Sequence, residues 1–346
     1  MRAPGLLRDL AIAAAALAVM LALPPLTGSA ALRDFVVYVC AHGLLAMSLN
    51  LLIGYTGLVS FGHAMFFASG AYAFGLMMQS GRFSLPAAFA LAVLASALLA
   101  LVVGAICVRL KEIYFAFLTL AFQMLLYSLI LSWVSITGGD QGLLGGIPRP
   151  PFLGIDLGDP RQFYVFCCVV FVLCILLMRK ITQSPFGYSL RMIRDNPDRT
   201  NFLGINVFRT KLIIFVIAGS FASVGGILLA LFVSGAYPNF GYWTTSGEAI
   251  FMIMLGGASL FLGPAVGAAL LTLLNDLVTT YTGYYGLVLG IIILLFALGL
   301  RRGLLEFLLD AFRPRRRPLP AARPQPAGAE AGRAAPVREP VTEAKP

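Results

Sequence analysis

Charge is what this sequence has least of. Asp, Glu, Lys and Arg make up 12% of its 346 residues, where a soluble domain carries about 25%. With 59% hydrophobic residues and a mean hydropathy of +0.89, the shortage argues against a soluble globular chain and for an all-α, polytopic membrane protein. Ten-residue segments of alternating polarity are missing, which argues against a membrane β-barrel. A G-x-x-x-x-G-K-[ST] phosphate loop is missing too. So are a nucleophile elbow and any His, Cys or carboxylate cluster with metal-ligand spacing, so no enzymatic activity, metal or cofactor is expected. The five cysteines, Cys40, Cys107, Cys167, Cys168 and Cys174, lie in apolar runs without zinc or redox spacing and read as small buried hydrophobes. Ionisable residues inside apolar runs are scarce, with Glu248 at a span start and Asp276 the clearest. Ion-driven carriers place such groups near mid-membrane. Their scarcity suggests a pathway whose energy comes from elsewhere; a stand-alone secondary carrier for small polar solutes is the alternative.

What is present is a series of apolar runs. Candidate spans fall at 10–26, 35–53, 58–78, 85–108, 113–135, 163–178, 212–233, 248–262, 264–280 and 285–300. This predicts about ten spans within a membrane domain at 1–300. The count drops toward eight if 248–280, interrupted only at Gly263, forms one re-entrant element. The first run, followed by "LTGSAA", resembles a secretory signal, but at 17 residues it reads as a retained span. Positive charge sets the orientation. Placing the N-terminus inside puts 21 of the 25 Lys and Arg residues in inner loops and ends, leaving Arg33, Arg82, Arg149 and Arg161. Both termini are therefore expected in the cytoplasm. The net charge of +10 is then explained by membrane orientation, not by nucleic acid. Residues 301–346 are rich in Arg, Pro and Ala and read as a disordered basic tail, with a lipid clamp at Arg313 and Arg315 to Arg317 as the sharper alternative.

Three loops carry more specific information. The stretch "LNLLIGYTGLVSFGHAMFFASGAYAFG" holds Gly54, Gly57 and Gly62 beside His63. Either a helix unwinds there and shows backbone dipoles to a solute, or the glycines simply allow close packing. The turn-rich "SITGGDQGLLGGIPRP" follows the fifth span, where Asp140 and Arg149 are candidates to meet an external partner. The central loop, 179–211, contains "SPFGYSLRMIRDNPDRTNFLGINVFRTK". Ser184 with Pro185, then Asn196 with Pro197, are two helix starts. Phe186, Leu190 and Ile193 fall on one face. The second helix stops at Gly204 and presents Phe202 and Leu203 beside Asp198 and Arg199. An apolar tip with a charged rim is the pattern of a helix that enters a partner's groove; lying flat on lipid headgroups is the alternative.

These pieces, with "YFAFLTLAFQ" and "LGGASLFLGPAVGAAL", occur in an order and topology that resembles the LivM-type permease subunit of branched-chain amino acid ABC importers. The resemblance covers about 35–308. It implies a translocation path shared with a second, LivH-like permease, two cytoplasmic ABC ATPases and a periplasmic binding protein, in a bacterial inner membrane. It also implies that the central loop, with Arg191, Arg194, Asp198, Arg199, Phe202, Leu203 and Gly204, couples the ATPases to the spans. Gly54, Gly57, Gly62, His63, Gln123 and Glu248 are then candidates for the path. Two departures stand out. Many relatives carry Glu near Gln123, and their coupling helix has an E-x-A-A flavour where this chain has Asp198-Arg199-Thr200-Asn201. The solute is set by the binding protein and includes urea and short amides among relatives.

Overall fold

Ser29 starts the first described helix in full. Its Oγ accepts the Leu32 N–H at 3.3 Å, and α1 runs Ala30–Thr56 until Gly57 turns left-handed at φ +77° and donates its N–H to the Ile53 carbonyl. The computed structural model describes residues 28–281 apart from 144 and 152–155, with isolated positions within 11–22 and 284–295. After α1 come α2 (Ala64–Gln79), α3 (Leu85–Cys107), α4 (Glu112–Ser132), the single turn α5 (Val134–Thr137) and α6 (Pro160–Gln183). Then follow α7 (Pro185–Asp195), α8 (Pro197–Phe202), α9 (Val207–Val233), α10 (Trp243–Gly256) and α11 (Gly263–Tyr281), with no strand among the described residues.

Among the described residues five helices, α1, α3, α4, α6 and α9, are long and apolar enough to cross a bilayer. They correspond to the expected spans at 35–53, 85–108, 113–135, 163–178 and 212–233. The expected span at 58–78 is shorter as a helix. Residues 57–63 stay non-helical, so the 16 residues of α2 cover about 24 Å, less than a bilayer core of about 30 Å. The expected spans at 248–262 and 264–280 become α10 and α11, but the break between them is wider than Gly263 alone. The turn begins at Gly257, whose φ of +99° ends α10. The expected segments at 10–26 and 285–300 lie in part, and the tail entirely, outside the described residues.

Helices α1 and α9 form the centre. Their most apolar windows are 78% and 67% buried inside the protein, against 28% for α3 and α4. Inside a bilayer, apolar area gives little drive for helices to associate, so close van der Waals packing must hold them. Small residues supply it. A Cβ on Gly226 of α9 would stand 1.9 Å from the Phe67 carbonyl oxygen of α2, and one on Gly225 would stand 2.6 Å from the Ala41 carbonyl of α1. The same device joins α10 to α11, where a Cβ on Gly267 would meet the Met252 carbonyl at 1.8 Å. The five cysteines are free and buried, as expected of small apolar packing residues.

Candidate coupling surface and translocation path

The central loop is built from three consecutive caps. Ser184 Oγ accepts the Gly187 N–H at 3.3 Å and starts α7. Asn196 Oδ1 accepts the Arg199 N–H at 2.9 Å and starts α8. Asn206 Oδ1 accepts the Arg209 N–H at 2.9 Å and starts α9. Each cap satisfies a backbone donor that the helix start leaves open. Along α7, Leu190 and Ile193 are buried and Phe186 is half-buried, so the expected apolar face is the one that packs inward.

The two arginines of α7 bind the helix bundle. Arg194 donates to the Gly54 carbonyl, in the last turn of α1, where carbonyls lack helical partners and the helix dipole is negative. Its Cγ lies 3.1 Å from where a Cβ on Gly57 would stand. The Arg191 guanidinium sits 5.3 Å from the Tyr55 ring centroid and 5.4 Å from that of Tyr188, within cation–π range. It also donates to the Thr182 carbonyl at 3.4 Å. The Arg194–Asp195 pair, at 3.8 Å and largely exposed, adds little.

Helix α8 projects the other way. Thr200 is buried and its hydroxyl donates to the Asn196 carbonyl at 2.8 Å, whereas Phe202 is 91% exposed and Leu203 64%. Asp198 and Arg199 flank them in solvent. Gly204 ends the turn at φ +84° with its N–H on the Asn201 carbonyl at 3.0 Å. The apolar tip with its charged rim is present as expected.

The second region is the break between α1 and α2. Both readings of its glycines apply, at different positions. Residues 57–63 are unwound, yet Gly54 stays inside α1 and packs close: a Cβ there would approach the Ala258 carbonyl to 2.7 Å. Gly62 presses on α4, its Cβ position 2.0 Å from the Thr119 carbonyl oxygen. His63 is fully buried, with Nε2 2.9 Å from Ser48 Oγ. Ser48 Oγ is also within hydrogen-bond distance, 2.9 Å, of the Leu45 carbonyl. The other ring nitrogen, His63 Nδ1, has no partner among the described residues, and neither do Asn50 Oδ1 and Ser60 Oγ beside the same break.

Gln123 belongs to this region. Its Nε2 donates to the Gly241 carbonyl at 3.0 Å, and its Oε1 accepts from Ser246 Oγ at 2.8 Å. Ser246 in turn accepts the Ala64 N–H, the first of α2, at 2.9 Å. The position therefore needs one donor and one acceptor, which an amide supplies. An ionised carboxylate would set its charge against the Gly241 oxygen. Glu248 stands apart from this network. It lines a separate cavity of about 510 Å³ with Tyr38, His42, Asn275 and Asp276, between α1, α10 and α11. Among the path candidates, then, the three glycines, His63 and Gln123 surround the break, and Glu248 does not. Ser48 and Ser246 gave no signal in the sequence, because a lone hydroxyl among apolar residues acquires meaning only from a partner many residues away.

On the opposite loop, Arg149 turns inward, donating to the Phe232 carbonyl at 2.8 Å and bonding Ser234. Asp140 is exposed.

Span-length apolar helices, a buried polar interruption at the centre and a capped helix with an exposed aromatic tip define a membrane-embedded transport subunit. The chain matches, over residues 31–298, the family described as branched-chain amino acid transport system / permease component, and it belongs to that family. It is similar to the high-affinity branched-chain amino acid transport system permease protein LivM of Salmonella typhimurium, at 27% identity over 76% of this chain and 67% of the relative. The Escherichia coli LivM is 26% identical over the same shares. A probable LivM of Methanocaldococcus jannaschii is 25% identical over 72% of this chain and 81% of the relative. No solved structure matches. The chain is therefore a multi-pass inner-membrane permease component of an ABC-type importer, which works with ATPase and binding-protein partners.

Proposed function

We propose that this chain carries branched-chain or related hydrophobic amino acids across the inner membrane. It does so beside a second, LivH-like permease, taking the solute from a periplasmic binding protein and drawing energy from two ABC ATPases, one of them docked at α8. The names of the relatives support the cargo. One observation supports the coupling role above all: the exposed Phe202 and Leu203 lie on a loop whose Arg194 holds the last turn of α1, next to the unwound 57–63 segment. A push on α8 thus reaches the break through a charged hydrogen bond. The break, with Gly54, Gly57, Gly62, His63 and Gln123, is the proposed path; Glu248, in its separate cavity, stands outside it. The proposed membrane domain is 1–300, and the basic segment is 301–346.

The charge bias supports α8 on the cytoplasmic side. A single cysteine at exposed Asn201 should then react with an impermeant maleimide only after the cells are opened; labelling in intact cells would reverse the orientation.

Arg194→Ala tests coupling. A hydrogen bond to a charged group is worth about 1.5–3 kcal/mol, and about 1.4 kcal/mol is tenfold. In the reconstituted complex the ATPase should still co-purify, while solute-stimulated ATP hydrolysis and uptake fall about tenfold. Full stimulation would refute the mechanical link. Uptake that needs an ion gradient and no ATPase chain would favour the secondary carrier.

A further inference from the structure

A groove of about 760 Å³ opens at the α7–α8 end of the bundle, between the 108–111 turn, the start of α8 and the start of α9. Among its lining residues Arg109, Lys111 and Lys211 are cationic and Asp198 is the carboxylate. Arg109 is held in place over the Phe208 ring, 5.3 Å from its centroid.

The groove does not end in water on every side. Arg109 and Lys111 connect α3 to α4, the two most peripheral span-length helices. Beside them Val102 and Ile106 are 61% and 48% exposed on α3, and Ile113, Tyr114 and Phe117 are 68%, 70% and 64% exposed on α4. A cationic hollow, lined also by Ile113 and Tyr114, therefore adjoins the exposed apolar faces of two span-length helices. A soluble anion would use the hollow and leave the apolar faces unused, whereas an amphiphile with an anionic head uses both.

We propose that this groove binds an anionic membrane phospholipid, its phosphate among Arg109, Lys111 and Lys211 and its acyl chains along the exposed faces of α3 and α4. Because Pro197 and Asp198 of α8 line the same groove, the bound lipid would brace the base of that helix. Any effect on coupling rests on the function proposed above; the binding itself does not.

The test is native mass spectrometry of the full-length chain in detergent, offered phosphatidylglycerol or phosphatidylcholine with matched acyl chains. Each cation near a lipid surface contributes roughly fivefold to binding. The chain should retain phosphatidylglycerol at least tenfold better than phosphatidylcholine. Arg109→Gln with Lys111→Gln should lower that retention more than tenfold, and the charge-keeping pair Arg109→Lys with Lys111→Arg should preserve it. Arg82→Gln with Arg161→Gln, which removes the same charge elsewhere, should leave retention unchanged, with melting curves confirming that every variant is folded. Equal retention of the two lipids, or a folded Gln pair that binds like the parent, overturns the proposal. So does displacement of phosphatidylglycerol by excess inorganic phosphate, which would make the occupant a soluble anion.

Discussion

Phe202→Ala is expected to weaken docking of the ATPase subunit by more than tenfold while leaving the permease folded. Phe202 is 91% exposed, so its truncation removes almost no contact within the chain and should not shift the melting temperature. An exposed aromatic that becomes buried in a partner's groove commonly costs about 2 kcal/mol or more when truncated, and about 1.4 kcal/mol is tenfold in affinity. Leu203, 64% exposed, adjoins it. Co-purification of the ATPase with the variant, titrated in detergent or nanodiscs, reads the effect directly. The alternative, that Phe202 and Leu203 rest on lipid headgroups, requires unchanged ATPase affinity with altered lipid association. An unchanged ATPase titration therefore rejects the docking role.

Gly62→Ala should have a large effect on folding. Its Cβ would stand 2.0 Å from the carbonyl oxygen of Thr119 and 2.4 Å from the carbonyl carbon. Both are backbone atoms of α4, so no side-chain rotation relieves the clash. Either the 57–63 segment or α4 must move, and overpacking of this kind costs about 1–3 kcal/mol and sometimes more. Movement would also disturb the adjacent His63–Ser48 bond and the Ala64–Ser246–Gln123 chain. The expected result is a strong loss of folded protein in detergent and of uptake in cells. Gly247→Ala is the control, because a Cβ at that position in α10 meets nothing within 4 Å; it should behave like the parent chain. If Gly62→Ala melts and transports normally, the segment does not press on α4 as described.

The neutral amide at 123 shows how far a sequence comparison reaches before geometry is needed. In sequence, Gln123 is only a departure from the Glu that the family resemblance implies near that position. In the fold it is fully buried and tied on both sides, to Gly241 and to Ser246. Its character follows from what surrounds it. Arg149 is similar: in sequence it is a cation in an outer loop open to a partner, and in the fold it is tied to the end of α9. Neither bonding pattern was visible beforehand, because the partners lie more than 80 residues away along the chain.

The sequence by itself determined the class of molecule and its local grammar. Long apolar runs must span as helices, since a bilayer offers no partner for open backbone groups. The Ser184, Asn196 and Gly204 signals act over four residues or fewer, so the capped α7–α8 loop and its exposed tip were legible without any neighbour. Only the tertiary structure decided where the glycines unwind and where they pack, that Arg194 reaches the Gly54 carbonyl, and that Glu248 faces a cavity apart from His63 and Gln123. Glycine permits both unwinding and close approach, so its role is fixed by whichever backbone lies opposite. That backbone comes from helices far along the chain, whose approach no local spacing encodes.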